Sequence, residues 1–280
     1  MIINGNEIEV EKLHDKVWVF KNAFKGSVDM IDYYLQNHVH TATEWYEFGH
    51  HMVIPLNGHT WSSFPTQEEW DVTHKKGEYK ENDNTVSRNI YVKELLQVFY
   101  EASKNYYDSV DVDYPNFKFD SADIAYYKDG YGTNDYQGMS YHTDFQAERK
   151  EDPGLKFGTT FLFYLNDNYD GGEINIIELT DDKEELISRI EYKPGAGDVV
   201  VFPSGHPFYH SPMIARNGTK YLIRTYWKYE YEGSEAWHQE KSQHSEDEWK
   251  EILRERHKEA SLMQGRSLNK WNQFHWGEQA

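Results

Sequence analysis

Between Phe117 and Trp227 the chain breaks into short runs rich in β-branched and aromatic residues, separated by residues that favour turns. The runs are Ile124–Tyr127, Thr159–Leu165, Glu173–Leu179, Ile187–Tyr192, Asp198–Phe202 and Lys220–Trp227. Among them lie Asp129-Gly130, Asn166-Asp167-Asn168, Asp170-Gly171-Gly172 and Pro194-Gly195-Ala196-Gly197, where Gly, Asn and Pro supply the dihedral angles of tight turns. Many short strands punctuated in this way imply an antiparallel barrel or a double-sheet jelly roll.

The flanks read differently. Val17-Trp18-Val19-Phe20 has the composition of a buried strand, and Ser27 is placed to cap a helix carrying Met30, Ile31, Tyr34 and Leu35 on one face. Residues 57–88 are polar and turn-rich with isolated Trp61, Phe64 and Trp70, which reads as a long excursion, either a lid or binding loop or a solvated insertion. A helix is predicted from Asn89 to about Asp108, with Val92, Leu95, Leu96, Phe99 and Tyr106 along the side that packs on a sheet. Ser245-Glu246-Asp247-Glu248 has the form of a capping box opening a helix to about Glu259, with Trp249, Ile252 and Leu253 on one face. The chain therefore reads as one domain in three parts: a strand and helix support with a polar loop over 1–116, a β core over 117–230, and a helical tail over 231–280 that packs on the core. The class is mainly β with flanking helices.

Composition narrows the partners. With 29 basic and 48 acidic residues the net charge is −19, which repels phosphate backbones and anionic lipid, so neither nucleic acid nor membrane is expected as a partner. Aromatic residues make up 16% of the chain, including 22 Tyr and 9 Trp, whereas disordered chains are poor in aromatics. The expectation is a folded protein with ring-lined surfaces suited to peptides or small organic molecules. Cysteine is absent, so any metal must be held by histidine and carboxylate. The first residues lack the basic and apolar regions of a secretory signal, and no apolar run approaches membrane-spanning length, which points to the cytoplasm.

His142 and Asp144 are two residues apart, so on a strand both side chains leave the same face and can grip one ion. The spacing alone decides little, because His244-Ser245-Glu246 and His257-Lys258-Glu259 share it within a charged, helix-like region. What distinguishes His142 and Asp144 is their setting: a punctuated β region, a strand ending Val200-Val201-Phe202-Pro203, then His210 ahead of the strand that contains Lys220. Two histidines and one carboxylate on one side of an ion leave three positions open, the donor set of non-haem iron(II) oxygenases. His206 is close to His210 and is read as a loop residue.

At these residues the chain resembles the 2-oxoglutarate- and iron(II)-dependent dioxygenases, and within them the prolyl 4-hydroxylase-like branch. The resemblance covers roughly residues 117 to 229 and implies a double-stranded β-helix, the jelly-roll or cupin-like core. It implies that His142, Asp144 and His210 bind Fe(II) and that Lys220, in Gly218-Thr219-Lys220-Tyr221, binds the far carboxylate of 2-oxoglutarate. Ile124-Ala125-Tyr126-Tyr127-Lys128-Asp129-Gly130 is similar to the family's strand before the iron pair, whose tyrosine contacts the cosubstrate, and of the two tyrosines Tyr127 is the better aligned because it precedes x-x-Gly. Thr159 to Asn166 followed by Gly171-Gly172-Glu173 is similar to another family segment, on which Thr160 and Tyr164 hydrogen-bond 2-oxoglutarate. Arg224 competes with Lys220 as the anchor, since both lie on one face of an alternating strand and only the offset from His210 favours Lys220. The approach from Tyr131 to Tyr141 is longer than the family's, and Met139 stands where Tyr is usual, so substrate identity is where this chain departs from its relatives.

The resemblance implies a hydroxylase that uses O2, releases succinate and CO2, and is compatible with ascorbate as an auxiliary reductant. Asp144 argues against a halogenase, since those relatives lose the carboxylate to admit halide. The expected substrate is a prolyl residue in a peptide or protein, with a free amino acid or other small metabolite as the alternative. A jelly-roll binding module without catalysis is the reading from a different class. Oligomeric state is left open.

Overall fold

The computed structural model of the protein describes residues 1–31, 46–48, 51–55, 83–110, 117–127, 141–144, 155–230 and 235–263. Tyr34, Leu35, Trp61, Phe64, Trp70, Tyr131 and Met139, all singled out above, lie outside the described residues. Fifteen strands are described. The N-terminal ones are β1 (Ile2–Ile3), β2 (Asn6–Glu7), β3 (Val10–His14), β4 (Val17–Phe20), β5 (Tyr46–Phe48) and β6 (His51–Pro55). They are followed by β7 (Phe117–Tyr127), β8 (Leu155–Tyr164), β9 (Asp170–Gly171), β10 (Ile174–Leu179), β11 (Leu186–Tyr192), β12 (Val199–Pro203), β13 (Phe208–Pro212), β14 (Ala215–Arg216) and β15 (Lys220–Glu230). The helices are α1 (Asp83–Val110), α2 (Glu235–Lys241) and α3 (Glu246–Met263), and residues 27–31 form a helical turn.

Eight strands form one antiparallel sheet in the order β3-β4-β12-β8-β15-β7-β6-β5, and β11-β10-β13 form a second. From β7 onward the chain alternates between them: β7 in the large sheet, residue 142 bridged to the small one, β8 in the large, β10 and β11 in the small, β12 large, β13 small, β15 large. That alternation is the winding of a jelly roll, the double-stranded β-helix.

The large sheet is covered on both faces, and its central strands are written accordingly. Val17–Phe20 is buried at every position and Val199–Pro203 at all but its last, so each reads as a continuous apolar run. At the edge of the small sheet Leu186–Tyr192 alternates between exposed and covered positions instead. One face of the large sheet meets α1 and β1: Phe161, Phe163, Val199, Val201 and Ile223 pack with Leu95, Val98, Phe99, Ala102 and Tyr106. These helix positions recur at three- and four-residue steps, the stripe expected of a helix lying on a sheet. The other face meets the small sheet, with Leu162, Tyr164, Val200, Phe202 and Leu222 against Ile174, Ile176, Ile190 and Phe208. The candidate site residues Tyr127 and Tyr164 lie in this second layer.

Two sequence expectations change and a third holds. The helix α1 starts at Asp83, within the stretch read as polar excursion; its acidic start is compatible with the positive end of the helix. Strands β3, β5, β6 and β13 carry no clear run of their own, and β3 to β6 extend the large sheet across the expected boundary at 116. The capping box at Ser245 forms as expected: the Ser245 N–H and hydroxyl donate to Glu248 Oε2 at 2.8 and 2.7 Å, and Glu248 N–H returns a bond to Ser245 Oγ at 3.4 Å. Trp249 then packs edge-on to Trp237 of α2, ring centroids 5.7 Å apart.

The turn before β12 is tied to the N-terminal segment by Asp198. Its carboxylate accepts from Asn22 N–H at 2.8 Å, Gly195 N–H at 2.9 Å and the Tyr192 hydroxyl at 2.6 Å. Gly197 holds φ at +82° there, and a Cβ on it would come within 2.8 Å of the Phe24 carbonyl oxygen. Among the described residues, no helix is long and apolar enough to cross a membrane.

Candidate functional site

The site is assembled on the small sheet and closed by the large one. His210 lies in β13 opposite Ile176, and residue 142 adds a single further rung beyond it. His142 N–H donates to the His210 carbonyl at 3.0 Å, and His210 N–H donates back to the His142 carbonyl at 2.9 Å. This exchange fixes the two imidazoles side by side, with ring centroids 4.3 Å apart. Asp144 brings Oδ2 within 3.4 Å of His210 Nε2. One donor atom from each of His142, Asp144 and His210 lies within 4.8 Å of the others, the distance range of a shared ion.

The electrostatics suit a cation. Burial pushes the Asp144 carboxyl upward, but the imidazoles of His210 and His142, the Arg224 guanidinium and the Thr160 hydroxyl together outweigh it and hold the group below the usual range, hence ionised. Burial lowers His210 to about 3, against the raising field of Asp144, so the ring is neutral and its nitrogen lone pair available. Two imidazoles and one ionised carboxylate fit iron(II) by the chemistry of the donor set.

Asp144 is gripped from the large sheet. Thr160 of β8 donates its hydroxyl hydrogen to Asp144 Oδ2 at 2.8 Å, and Tyr226 of β15 approaches Oδ1 at 3.4 Å. Thr160 and Tyr226 are register partners across β8 and β15, which explains why they converge on one carboxylate. The sequence reading gave Thr160 to 2-oxoglutarate; in the structure its one hydrogen goes to Asp144.

Farther along the same face, Lys220 is completely buried. Its Nζ donates to the Met213 carbonyl at 3.2 Å and the Gly172 carbonyl at 3.4 Å and stands 4.4 Å over the Tyr127 ring. Among the described residues no carboxylate forms an ion pair with it. Burial, aided by the Lys193 ammonium and opposed by Glu173, lowers Lys220 to about 7. Gly172 makes room: a Cβ there would meet the Tyr169 ring at 2.5 Å and the Lys220 stem at 3.3 Å. Tyr164, on β8 opposite Leu222, has a buried hydroxyl with no hydrogen-bond partner among the described residues. An unneutralised buried ammonium and an unsatisfied buried hydroxyl in one layer fit a carboxylate ligand.

The structure thus brings His142, Asp144 and His210 together, and puts Tyr127 against Lys220. Arg224 is half-buried on the inward face between Lys220 and Tyr226, close enough to influence Asp144 and His210, so it sits nearer the metal end than Lys220 does. His206 lies in the loop before β13, beside Tyr209 at 3.4 Å and outside the metal group. His244 stacks on Trp249 at the start of α3, away from any metal group among the described residues. Tyr226 and Ser204 were missed. Tyr226 was accessible to the period-two rule from Lys220 and Arg224; Ser204, in the loop after Pro203, left no signal.

Three solved structures are similar: a prolyl hydroxylase from Trichoplax adhaerens in complex with a hypoxia inducible factor oxygen degradation domain peptide fragment (12% identity, 76% of this chain and 84% of that one, TM-score 0.47), a Pseudomonas putida prolyl-4-hydroxylase (13%, 76% and 92%, 0.46) and the viral collagen prolyl hydroxylase of Paramecium Bursaria Chlorella virus-1 (12%, 81% and 92%, 0.42). Comparison with curated proteins finds no match. A family model does match, that of the 2OG-Fe(II) oxygenase superfamily, over residues 130–229. His142, Asp144, His210 and Lys220 all fall inside that span, so it is the segment carrying the site that is similar to the superfamily.

Proposed function

We propose that the protein hydroxylates an unactivated C–H bond of a prolyl residue in a peptide or protein, with His142, Asp144 and His210 holding Fe(II) and Lys220 binding the distal carboxylate of 2-oxoglutarate. The observation that carries the reading is the convergence of three donor atoms within 4.8 Å on the inward face of a jelly roll. Bound there, iron(II) with 2-oxoglutarate and O2 supplies the oxidising power, and the cosubstrate leaves as succinate and CO2.

The rest is the work of this chain's side chains. The neutral His210 ring and the ionised Asp144 present lone pairs without first losing a proton. Lys220 offers a charge-assisted contact whose direction is fixed by its two carbonyl acceptors, and the Tyr127 ring shields it from water. Tyr164 offers a hydroxyl in the same layer. Prolyl specificity rests on the resemblance of the motif set to the prolyl 4-hydroxylase-like branch.

The test is succinate release in the presence of O2, with added Fe(II) and 2-oxoglutarate, across proline-rich peptides and free amino acids, followed by mass spectrometry of the consumed substrate. The expected result is turnover of a peptide that gains one oxygen atom on proline and loss of all turnover in Asp144→Ala. Turnover of a free amino acid with peptides ignored would replace the peptide assignment with the metabolite one. No visible charge-transfer band on adding Fe(II) and 2-oxoglutarate would defeat both.

A further inference from the structure

Two adjacent threonines of β8 serve opposite faces of the sheet. Thr159 hydrogen-bonds Tyr107 of α1, whereas Thr160 turns inward to Asp144. Thr160 is completely buried, and its oxygen lies 2.8 Å from a second buried hydroxyl, that of Ser204. A hydroxyl owns one hydrogen. Thr160 gives its own to the carboxylate, the stronger acceptor, so the Ser204 hydroxyl must be the donor in the second bond. The result is a directed chain from Ser204 through Thr160 to Asp144 Oδ2.

The backbone holds the chain in place. Thr160 is the register partner of Phe202 in β12, and Ser204 N–H continues that pairing toward the Gly158 carbonyl at 3.4 Å. Ser204 also begins the connection to β13, the strand that carries His210. Oδ2, the atom engaged by Thr160, is also the one 3.4 Å from His210 Nε2.

We propose that Thr160 and Ser204 are positioning residues for the metal site: the two hydroxyls, each polarising the next, fix the orientation of the Asp144 carboxylate and draw charge from its Oδ2. This rests on the reading that His142, Asp144 and His210 hold a divalent ion. In this role the Thr160 hydroxyl acts on the metal ligand and leaves 2-oxoglutarate to Lys220 and Tyr164. Removal of a hydrogen-bonded partner behind a metal ligand typically weakens metal binding by about 10- to 100-fold.

The experiment titrates Co(II), read by its visible ligand-field bands without 2-oxoglutarate or O2, into wild type, Thr160→Val, Thr160→Ser, Ser204→Ala and the Thr160→Val/Ser204→Ala pair. Thr160→Val is expected to weaken Co(II) by about tenfold or more, Thr160→Ser to restore it to within a few-fold, and Ser204→Ala to give a smaller loss. The double variant should bind no more weakly than Thr160→Val alone, because Ser204 acts through Thr160. At saturating Co(II), 2-oxoglutarate affinity should be unchanged in Thr160→Val.

Unchanged Co(II) affinity with weakened 2-oxoglutarate binding in Thr160→Val would assign the hydroxyl to the cosubstrate and overturn the proposal. Additive losses in the double variant would break the chain into two unrelated contacts, also overturning it. If Thr160→Val does not fold, judged by thermal unfolding without metal, Ser204→Ala and Thr160→Ser decide the matter on the same titration. Failure of the underlying reading looks different: Co(II) would bind Asp144→Ala as tightly as wild type.

Discussion

Lys220 is an ordinary lysine placed where its charge is hard to keep. In the unfolded chain its ammonium holds its proton to about pH 10.4, whereas in the folded protein burial and the Lys193 charge bring that down to about 7. Between these values the unfolded chain binds more protons, so the protein without cosubstrate gains stability as pH rises from 7 toward 10. A dicarboxylate reverses the preference, because it wants the ammonium. Its dissociation constant should therefore rise about tenfold per pH unit above pH 7, and Lys220→Arg, which keeps its charge, should give a flat profile. Calorimetric titrations of 2-oxoglutarate into the Co(II)-loaded protein at pH 6.5, 7.5 and 8.5 check this; parallel profiles would take Lys220 out of the contact. At this scale the sequence was most legible where a short spacing rule applies. The spacing of two picked out His142 and Asp144 together, although His142 forms a single bridge and Asp144 lies in a bend instead of on a strand, and Lys220 stands at a fixed offset from His210. What Thr160 touches was not legible, because its partners Asp144 and Ser204 belong to other segments brought in by pairing.

Elements were legible in proportion to how far their residues form a run. The strand Val199–Pro203 is apolar at almost every step because both of its faces are covered. Strand β13, which carries His210, is five residues bounded by Pro207 and Pro212 and contains His and Ser, so neither composition nor alternation marks it. The helix α1 was found by its apolar stripe but not by its beginning, since its first residues are polar. That stripe yields a stability prediction. Phe99 is fully buried with its ring 4.8 Å from Phe161, and Phe99→Ala should cost about 3–5 kcal/mol in urea unfolding. Lys104→Ala on the exposed side of the same helix, which loses only a surface pair with Asp108, should stay within about 0.5 kcal/mol. Equal effects would mean that α1 does not anchor the large sheet through this face.

The whole molecule was legible as a class and not as a wiring. Turn signals and short strands implied a jelly roll or barrel, and the alternation of strands between two sheets is that jelly roll. Nothing in Val17–Phe20 announces that it pairs with β12, far along the chain, or in Val10–His14 that it adds one more strand outside it, because such pairing is decided by shape and burial across the sheet. The site inherits this long-range character, so metal binding should stabilise the entire fold. Mn(II) at about a hundred times its dissociation constant contributes about 2.7 kcal/mol, which should raise Tm by about 5–10 °C. The rise should vanish in Asp144→Ala, and a Tm indifferent to Mn(II) in wild type would remove the site from the fold's energetics.

The paired bonds between residues 142 and 210 also close a large loop, the whole of β8 to β12 lying between them. An ion shared by His142 and His210 would clasp that loop at its neck, much as a disulfide does in chains that can form one. This chain has no cysteine, so its covalent structure supplies no such clasp, and the metal would help hold the loop closed in the folded state. Iron in this protein would then act as a cross-link, with the loop's closure entropy part of what the ion contributes.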